Sequence, residues 1–290
     1  MTAEISGRSK QTKKIGIIGM VGNLFLFIIK IVISLITKSQ SMLADSINSA
    51  TDILSSLMTF VGGKISGNSS DANHNYGYGK AEYVFSLIIS LIMGYLAIKI
   101  SVEGVTSLVE QNVFEFSYGL VIVCLITICT KFFLYRHTVK IGKETENILI
   151  LANASDHKSD MLVTTAVLLG VLAAKINVYW IDGVVALCIA LKILFDATRI
   201  FMESYTVLID KAMSEAEIEK IHEIIRSFEN IDHIDKVTSK AAGKSFVVII
   251  KVSVDGNMTV NESHEIAGKL KAEVMKLKDI YDVVVHINPV

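Results

Sequence analysis

Two apolar stretches of this 290-residue chain carry oxygen ligands at helical spacing. In Ser41 to Ile65, SMLADSINSATDILSSLMTFVGGKI, the residues Asp45, Asn48 and Asp52 stand at i, i+3 and i+7, and so share one helix face. In Ile148 to Ala174, Asp156 and Asp160 stand at i and i+4, also on one face. His157 lies about 100° round from Asp156 and is expected to point elsewhere. Facing each other, the pairs Asn48/Asp52 and Asp156/Asp160 would make a four-point oxygen cage without sulfur or nitrogen. Neither helix is expected to bring a Lys or Arg to these acids. Ionisable groups in lipid cost about 2.5–3.5 kcal/mol each on insertion scales and mark functional sites by default. A divalent cation or protons would balance the carboxylates. The structural alternative is that the acids hydrogen-bond to serines and backbone inside a bundle.

Such a site needs helices long enough to hold it in a membrane. Hydrophobic residues make up 51 % of the chain and charged residues 20 %, with mean hydropathy +0.51, so the average conceals two unlike parts. A span takes about 20 helical residues. Clear runs are Ile15 to Thr37, Tyr83 to Val109, Phe116 to Tyr135, Ile148 to Ala174 and Trp180 to Leu208. The polar-bearing stretch Ser41 to Ile65 is expected to be a sixth membrane helix, because a bundle interior tolerates its acids. The first run is too long for a secretory signal, and no small-residue cleavage site follows it. Arg8, Lys10, Lys13 and Lys14 precede the first helix, Lys64 and Lys80 follow the second, and Arg136, Lys140 and Lys143 follow the fourth. The alternate connections are poor in Lys and Arg, which puts both termini in the cytoplasm of a multi-pass protein in the plasma or inner membrane.

Residues 1–12 are expected to be a flexible cytoplasmic N-terminus, 13–209 the membrane domain and 210–290 a cytoplasmic domain. In that tail, Ser214 to Phe228 and Asn261 to Leu277 read as helices. Lys236 to Lys240, Ser245 to Val254 and Ile280 to His286 read as strands. The order is αββαβ, a small sheet covered on one face by two helices. A formal net charge of −1 excludes a strongly basic nucleic-acid binder. Cys124, Cys129 and Cys188 sit in apolar runs and offer no thiolate metal cluster. No nucleotide-binding motif is present, and no cofactor or enzymatic activity is expected.

LADSINSATDILSSL, SSDANHNYGYGKAE, NASDHKSDML and VVVHINP together resemble the cation diffusion facilitators, from about Lys13 to Pro289. The resemblance implies six membrane helices, a metallochaperone-like (ferredoxin-like) cytoplasmic domain, a homodimer joined through it, and proton-coupled export of divalent metal. It places the transport ligands on Asn48, Asp52, Asp156 and Asp160. Zinc-transporting members usually have histidine where this chain has Asp156, and often where it has Asn48. Zinc favours imidazole and thiolate, whereas manganese suits carboxylate and carbonyl oxygen. The expected cargo is therefore Mn²⁺, with Fe²⁺ second and Zn²⁺, Co²⁺ or Cd²⁺ after it. A carboxylate, Asp156 or Asp160, would carry the proton.

Weaker expectations follow from the same resemblance. Asp71 and His74 match a peripheral metal site, but Tyr78 replaces a histidine there. Asp235, His264 and His286 match a cytoplasmic metal site, whose other positions hold Lys251 and Asn288. Lys251 cannot bind a cation while protonated. Lys80 and Asp210 match a structural hinge pair. Asp45 is a secondary candidate that could guide ions or accept an outer hydrogen bond. Lys30 and Lys99 are expected to snorkel or pair, and His222 and His233 have no expected partner. Two other classes compete. An intramembrane aspartyl protease needs a GxGD-type frame, which Asp182-Gly183 lacks. A passive divalent channel differs in not depending on a proton gradient.

Overall fold

The computed structural model describes residues 2–66, 68, 70–109, 114, 116–144 and 148–290, without the side chains of 2–19, 55–56, 58–60, 63, 148–150 and 152–153. Six long helices come first: α1 (Thr2–Thr37), α2 (Gln40–Ser66), α3 (Ala81–Val109), α4 (Tyr118–Glu144), α5 (Ile148–Ala174) and α6 (Trp180–Leu208). Then follow α7 (Glu215–Arg226), β1 (His233–Ala242), β2 (Ser245–Val254), α8 (Val260–Val274) and β3 (Ile280–Pro289). The single proline, Pro289, closes β3 and interrupts no helix. Helix α1 starts at Thr2, well before the apolar run at Ile15, so most of the segment 1–12 expected to be flexible is helical. Hydropathy marks where a helix can meet lipid, not where its backbone ladder begins.

Four helices among the described residues are long and apolar enough to cross a membrane: Met20–Thr37, Ala81–Val109, Tyr118–Glu144 and Ala154–Ala174. This is two fewer than the six expected. The other two, α2 and α6, are of similar length but carry polar groups within their apolar runs: α2 holds Asp45, Asn48 and Asp52, and α6 holds Lys192, Asp196 and Arg199. In α6 it is the number of charges, not a lack of apolar residues, that sets it apart.

Contacts divide the chain into two compact units, residues 1–57 with 89–199 and residues 58–88 with 200–290. By contacts, the loop after α2 and the end of α6 thus group with the tail. In the first unit α4 packs along α5 and α1 along α4. The buried residues of α4, Leu120, Cys124, Thr127, Lys131, Thr138 and Gly142, recur at three, four or seven residues and so share one face. Its other faces expose Leu125 and Phe133. Apolar groups outside and polar groups within suit a hydrocarbon solvent.

The second unit is built conventionally. The sheet order is β1-β2-β3, with β1 and β2 antiparallel and β2 and β3 parallel, joined through α8. The order αββαβ agrees with the sequence reading, although β1 and β3 run about three residues further at their ends. Ile221 and Ile225 of α7 and Leu270 and Val274 of α8 pack on Val248, Ile250, Val252 and Val283. Burying one such side chain contributes about 1.5–3 kcal/mol. Capping boxes start both helices: Ser214 N donates to Glu217 Oε2 at 2.8 Å and Thr259 N to Glu262 Oε2 at 2.8 Å.

Candidate metal centre

Helices α2 and α5 meet at Asn48 and Asp160. Asn48 Nδ2 donates to Asp160 Oδ1 at 3.3 Å, and both residues are buried. Asp52 lies one turn along α2 from Asn48, and Asp156 one turn along α5 from Asp160; Asp156 is exposed. Asp160, Lys131, Lys192 and Asp156 are all near enough to act electrostatically on Asp52. The four residues expected to bind cargo therefore share one neighbourhood. They are not drawn into a closed cage: among the described residues no three His, Cys, Asp or Glu side chains are grouped closely enough to hold a metal.

Lysines from other helices intervene, which a reading of α2 and α5 alone does not include. Lys131 of α4 places Nζ 2.5 Å from Asp160 Oδ2 and 2.7 Å from Asn23 Oδ1. Lys192 of α6 donates to Asn48 Oδ1 at 3.2 Å and to Asp196 Oδ2 at 3.2 Å. Spacing within α2 and α5 could not disclose them, because they come from helices far away in sequence. The available signal was a lysine inside an apolar run, and Lys131 in ITICTKFFLY is one.

Asp45 stands apart from this group. It pairs with Lys30 Nζ at 2.9 Å and accepts from Thr164 Oγ1 at 2.9 Å, while Lys30 also donates to Ser49 Oγ at 3.2 Å. Both side chains of the pair are at most 1 % exposed. The pairing expected of Lys30 is thus met by the acid that had been a secondary ligand candidate. Lys99 lies 3.9 Å from Glu103. Asp182 is also buried and caps α2, accepting from Gln40 N at 2.8 Å, Ser39 Oγ at 2.8 Å and the hydroxyl of Ser41. His157 is buried, and neither ring nitrogen has a hydrogen-bond partner among the described residues.

In the second unit, Asp71 is fully engaged by its own loop. Its Oδ1 accepts from Asn73 N at 2.9 Å and His74 N at 2.7 Å, and its Oδ2 from the Tyr78 hydroxyl at 2.7 Å. The Tyr78 hydrogen bond, then those from the backbone, hold the Asp71 carboxyl down at about 2. The departure from the peripheral-site pattern, Tyr78, is thus what ties up one oxygen of Asp71. Lys80 Nζ sits 2.5 Å from Asp210 Oδ1, and Lys240 Nζ 3.3 Å from Asp210 Oδ2. Gly243 packs against Gly79: a Cβ there would lie 2.6 Å from the Gly79 carbonyl carbon.

Asp235 sits at a bulge in β1, which turns its side chain toward Ser253 Oγ at 3.0 Å and Asn288 Nδ2 at 3.0 Å. Its histidine neighbour is His233, 3.1 Å away, rather than His264 or His286. His233 also meets Asp232 at 2.7 Å, and that hydrogen bond raises its pKa. His264 and His286 are both exposed, on α8 and β3, and His286 stands opposite Lys251 in the register. Asp235, His264 and His286 therefore do not form a cluster within one chain. His222 lies 3.3 Å from Glu219.

A family model for the cation efflux transmembrane domain matches residues 16–209, and one for the cation efflux protein cytoplasmic domain matches 213–290. The manganese efflux system protein MneP of Bacillus subtilis (strain 168) is 27 % identical, over 98 % of both chains. The magnetosome protein MamM of Magnetospirillum gryphiswaldense is 30 % identical, over 93 % of this chain and 85 % of its own. The metal-bound C-terminal domain of the CzcD transporter from Thermotoga maritima matches 27 % of this chain at 28 % identity and TM-score 0.25. This chain belongs to the cation diffusion facilitator family and is a membrane-integral metal efflux transporter, not an enzyme.

Proposed function

We propose that the chain exports Mn²⁺ from the cytoplasm in exchange for protons, using Asn48, Asp52, Asp156 and Asp160 as the transport site. The observation that carries this reading is the meeting of Asn48 with Asp160 beside Asp52. Around them, Asp52, Asp156, Asp160 and Asp196 face Lys131 and Lys192. With every group ionised, two negative charges remain, the charge of one divalent cation. All candidate ligand atoms are oxygen, which suits manganese better than zinc. The manganese-linked relative MneP, at 27 % identity, points the same way. Metal enters from the cytoplasmic side, binds the carboxylates and the Asn48 carbonyl, and leaves outward as the bundle rearranges. Protons then take the emptied carboxylates. Six helices cross the membrane, α2 and α6 with their polar faces inward, and both termini are cytoplasmic. Two copies associate through the tail.

The test is metal uptake into proteoliposomes with an imposed pH gradient, comparing Mn²⁺, Fe²⁺ and Zn²⁺. Mn²⁺ uptake should collapse with the gradient; flux indifferent to it would mean a passive channel. Asn48→His should shift preference toward Zn²⁺. Asp156→Asn should abolish pH-driven Mn²⁺ flux, and undiminished flux in that variant would overturn the site. Zn²⁺ uptake by the unsubstituted protein equal to or above that of Mn²⁺ would refute the cargo.

A further inference from the structure

Lys131 is among the largest fully buried side chains of the molecule, at 1 % exposure. Its ammonium rests between two acceptors on different helices, Asp160 Oδ2 of α5 at 2.5 Å and Asn23 Oδ1 of α1 at 2.7 Å. A cation already lies against one of the carboxylates assigned above to the cargo. An ammonium and a divalent metal cannot both sit on Asp160 Oδ2, and at close range in a poorly screened interior their repulsion is strong. We propose that Lys131 is a resident counter-ion of the transport site, which metal displaces from Asp160 and which Asn23 then retains. This rests on the transport-site reading and adds a competitor to it.

Displacement sets affinity. Metal binding becomes an exchange of cations on one carboxylate, so the intrinsic attraction of the acids is reduced by what Lys131 forgoes. That keeps binding weak enough for release. It also changes which helices are tied together. With Lys131 on Asp160 and Asn23, α4 is held to both α5 and α1; once metal displaces it from Asp160, only the tie to α1 remains. Asn23 matters because a lysine moved off its carboxylate without another acceptor would be a buried unpaired charge, which is costly. Arginine would grip the carboxylate more firmly, because its fork can bond both oxygens.

The test measures Mn²⁺ binding to the full-length protein in detergent by calorimetry at one fixed pH, together with KM and turnover in proteoliposomes. Lys131→Met should lower the dissociation constant and KM by at least about tenfold, and reduce turnover as release slows. Lys131→Arg should weaken binding. Asn23→Leu should raise KM in the otherwise unchanged protein and leave it unaltered in the Lys131→Met background. A Lys131→Met protein that folds with unchanged or weaker Mn²⁺ affinity overturns the proposal, because a lysine that only supports the bundle would behave so. Should Lys131→Met not fold, Asn23→Leu decides alone, and unchanged affinity overturns the proposal. Asp160→Asn separates the two levels. If it binds Mn²⁺ as tightly as the unsubstituted protein, the transport site itself is misplaced. If it loses binding while Lys131→Met gains none, only the counter-ion role fails.

Discussion

The helical bundle and the tail both use lysine–carboxylate pairs, but among the described residues only the bundle buries both partners of any such pair. In the bundle, Lys30–Asp45 is at most 1 % exposed and Lys131–Asp160 at most 9 %. In the tail, Lys269–Glu265 is 66 % and 67 % exposed, and Lys276–Glu273 is 68 % and 48 % exposed. Exposed pairs contribute about 0–1 kcal/mol because water and salt screen them. A buried pair contributes little relative to an apolar replacement, yet losing one partner costs about 3–5 kcal/mol. The tail is therefore held by its apolar core, with its pairs nearly incidental. The bundle carries charges that packing alone would not choose: one pair, Lys30–Asp45, ties helices together, and the other, Lys131–Asp160, lies where a charge is to be exchanged.

The largest effect should come from Lys30–Asp45. Asp45→Leu strands an ammonium at 0 % exposure, so thermal unfolding in detergent should show a loss of about 3–5 kcal/mol. The double variant Lys30→Met/Asp45→Leu should recover most of it. At matched amounts of folded protein its Mn²⁺ uptake should stay near that of the unsubstituted chain. A folded double variant without uptake would return Asp45 to the transport site, and the contrast between a structural pair and a working pair inside the bundle would fall.

A smaller effect belongs to the tail's hairpin. Gly243 has φ +83° and no space for a Cβ beside Gly79. Gly243→Ala should cost about 1–3 kcal/mol through backbone strain and the displaced loop, read as a lowered unfolding midpoint. Removing an exposed pair should do less: Lys269→Ala should leave the midpoint nearly unchanged. A larger loss there would mean that the tail, too, depends on its charges.

The tail was legible in the sequence because its signals are local. The β-branched run Ser245 to Val254 and the Ser214 and Thr259 caps mark their elements within a few residues. The ends of β1 were not, because the bulge at Asp235 depends on pairing with β2. In the bundle, Asn48, Asp52, Asp156 and Asp160 could be picked out by spacing along single helices. Their lysine partners could not, since Lys131 reaches Asp160 from another helix. The same holds for Asp182, whose cap on α2 spans more than a hundred residues of sequence. Hydropathy identified α3, α4 and α6 readily but gives little for α2, whose polar face is what the bundle encloses.

The smallest effect tests the contrast from the side of a carboxylate outside the bundle. Asp71 is exposed, yet the Tyr78 hydroxyl and the backbone amides of Asn73 and His74 hold its carboxyl at about 2 against an ordinary 3.8. A lowered pKa means that the ionised form favours the ordered loop. That contribution is fully present above the ordinary value and is lost as pH falls through the folded one. Amide exchange at Asn73 and His74, corrected for its intrinsic pH dependence, should show steady protection from neutral pH down to about 4. Protection should then decline toward pH 2. Asp71→Asn should lose it at every pH. Protection that does not change between neutral pH and pH 2 would give Asp71 an ordinary carboxylate and leave its oxygens free for metal. Added Mn²⁺ would then raise protection only if the loop were a metal site. With the hydrogen bonds observed, metal should change nothing there, because donors already occupy both oxygens without leaving water.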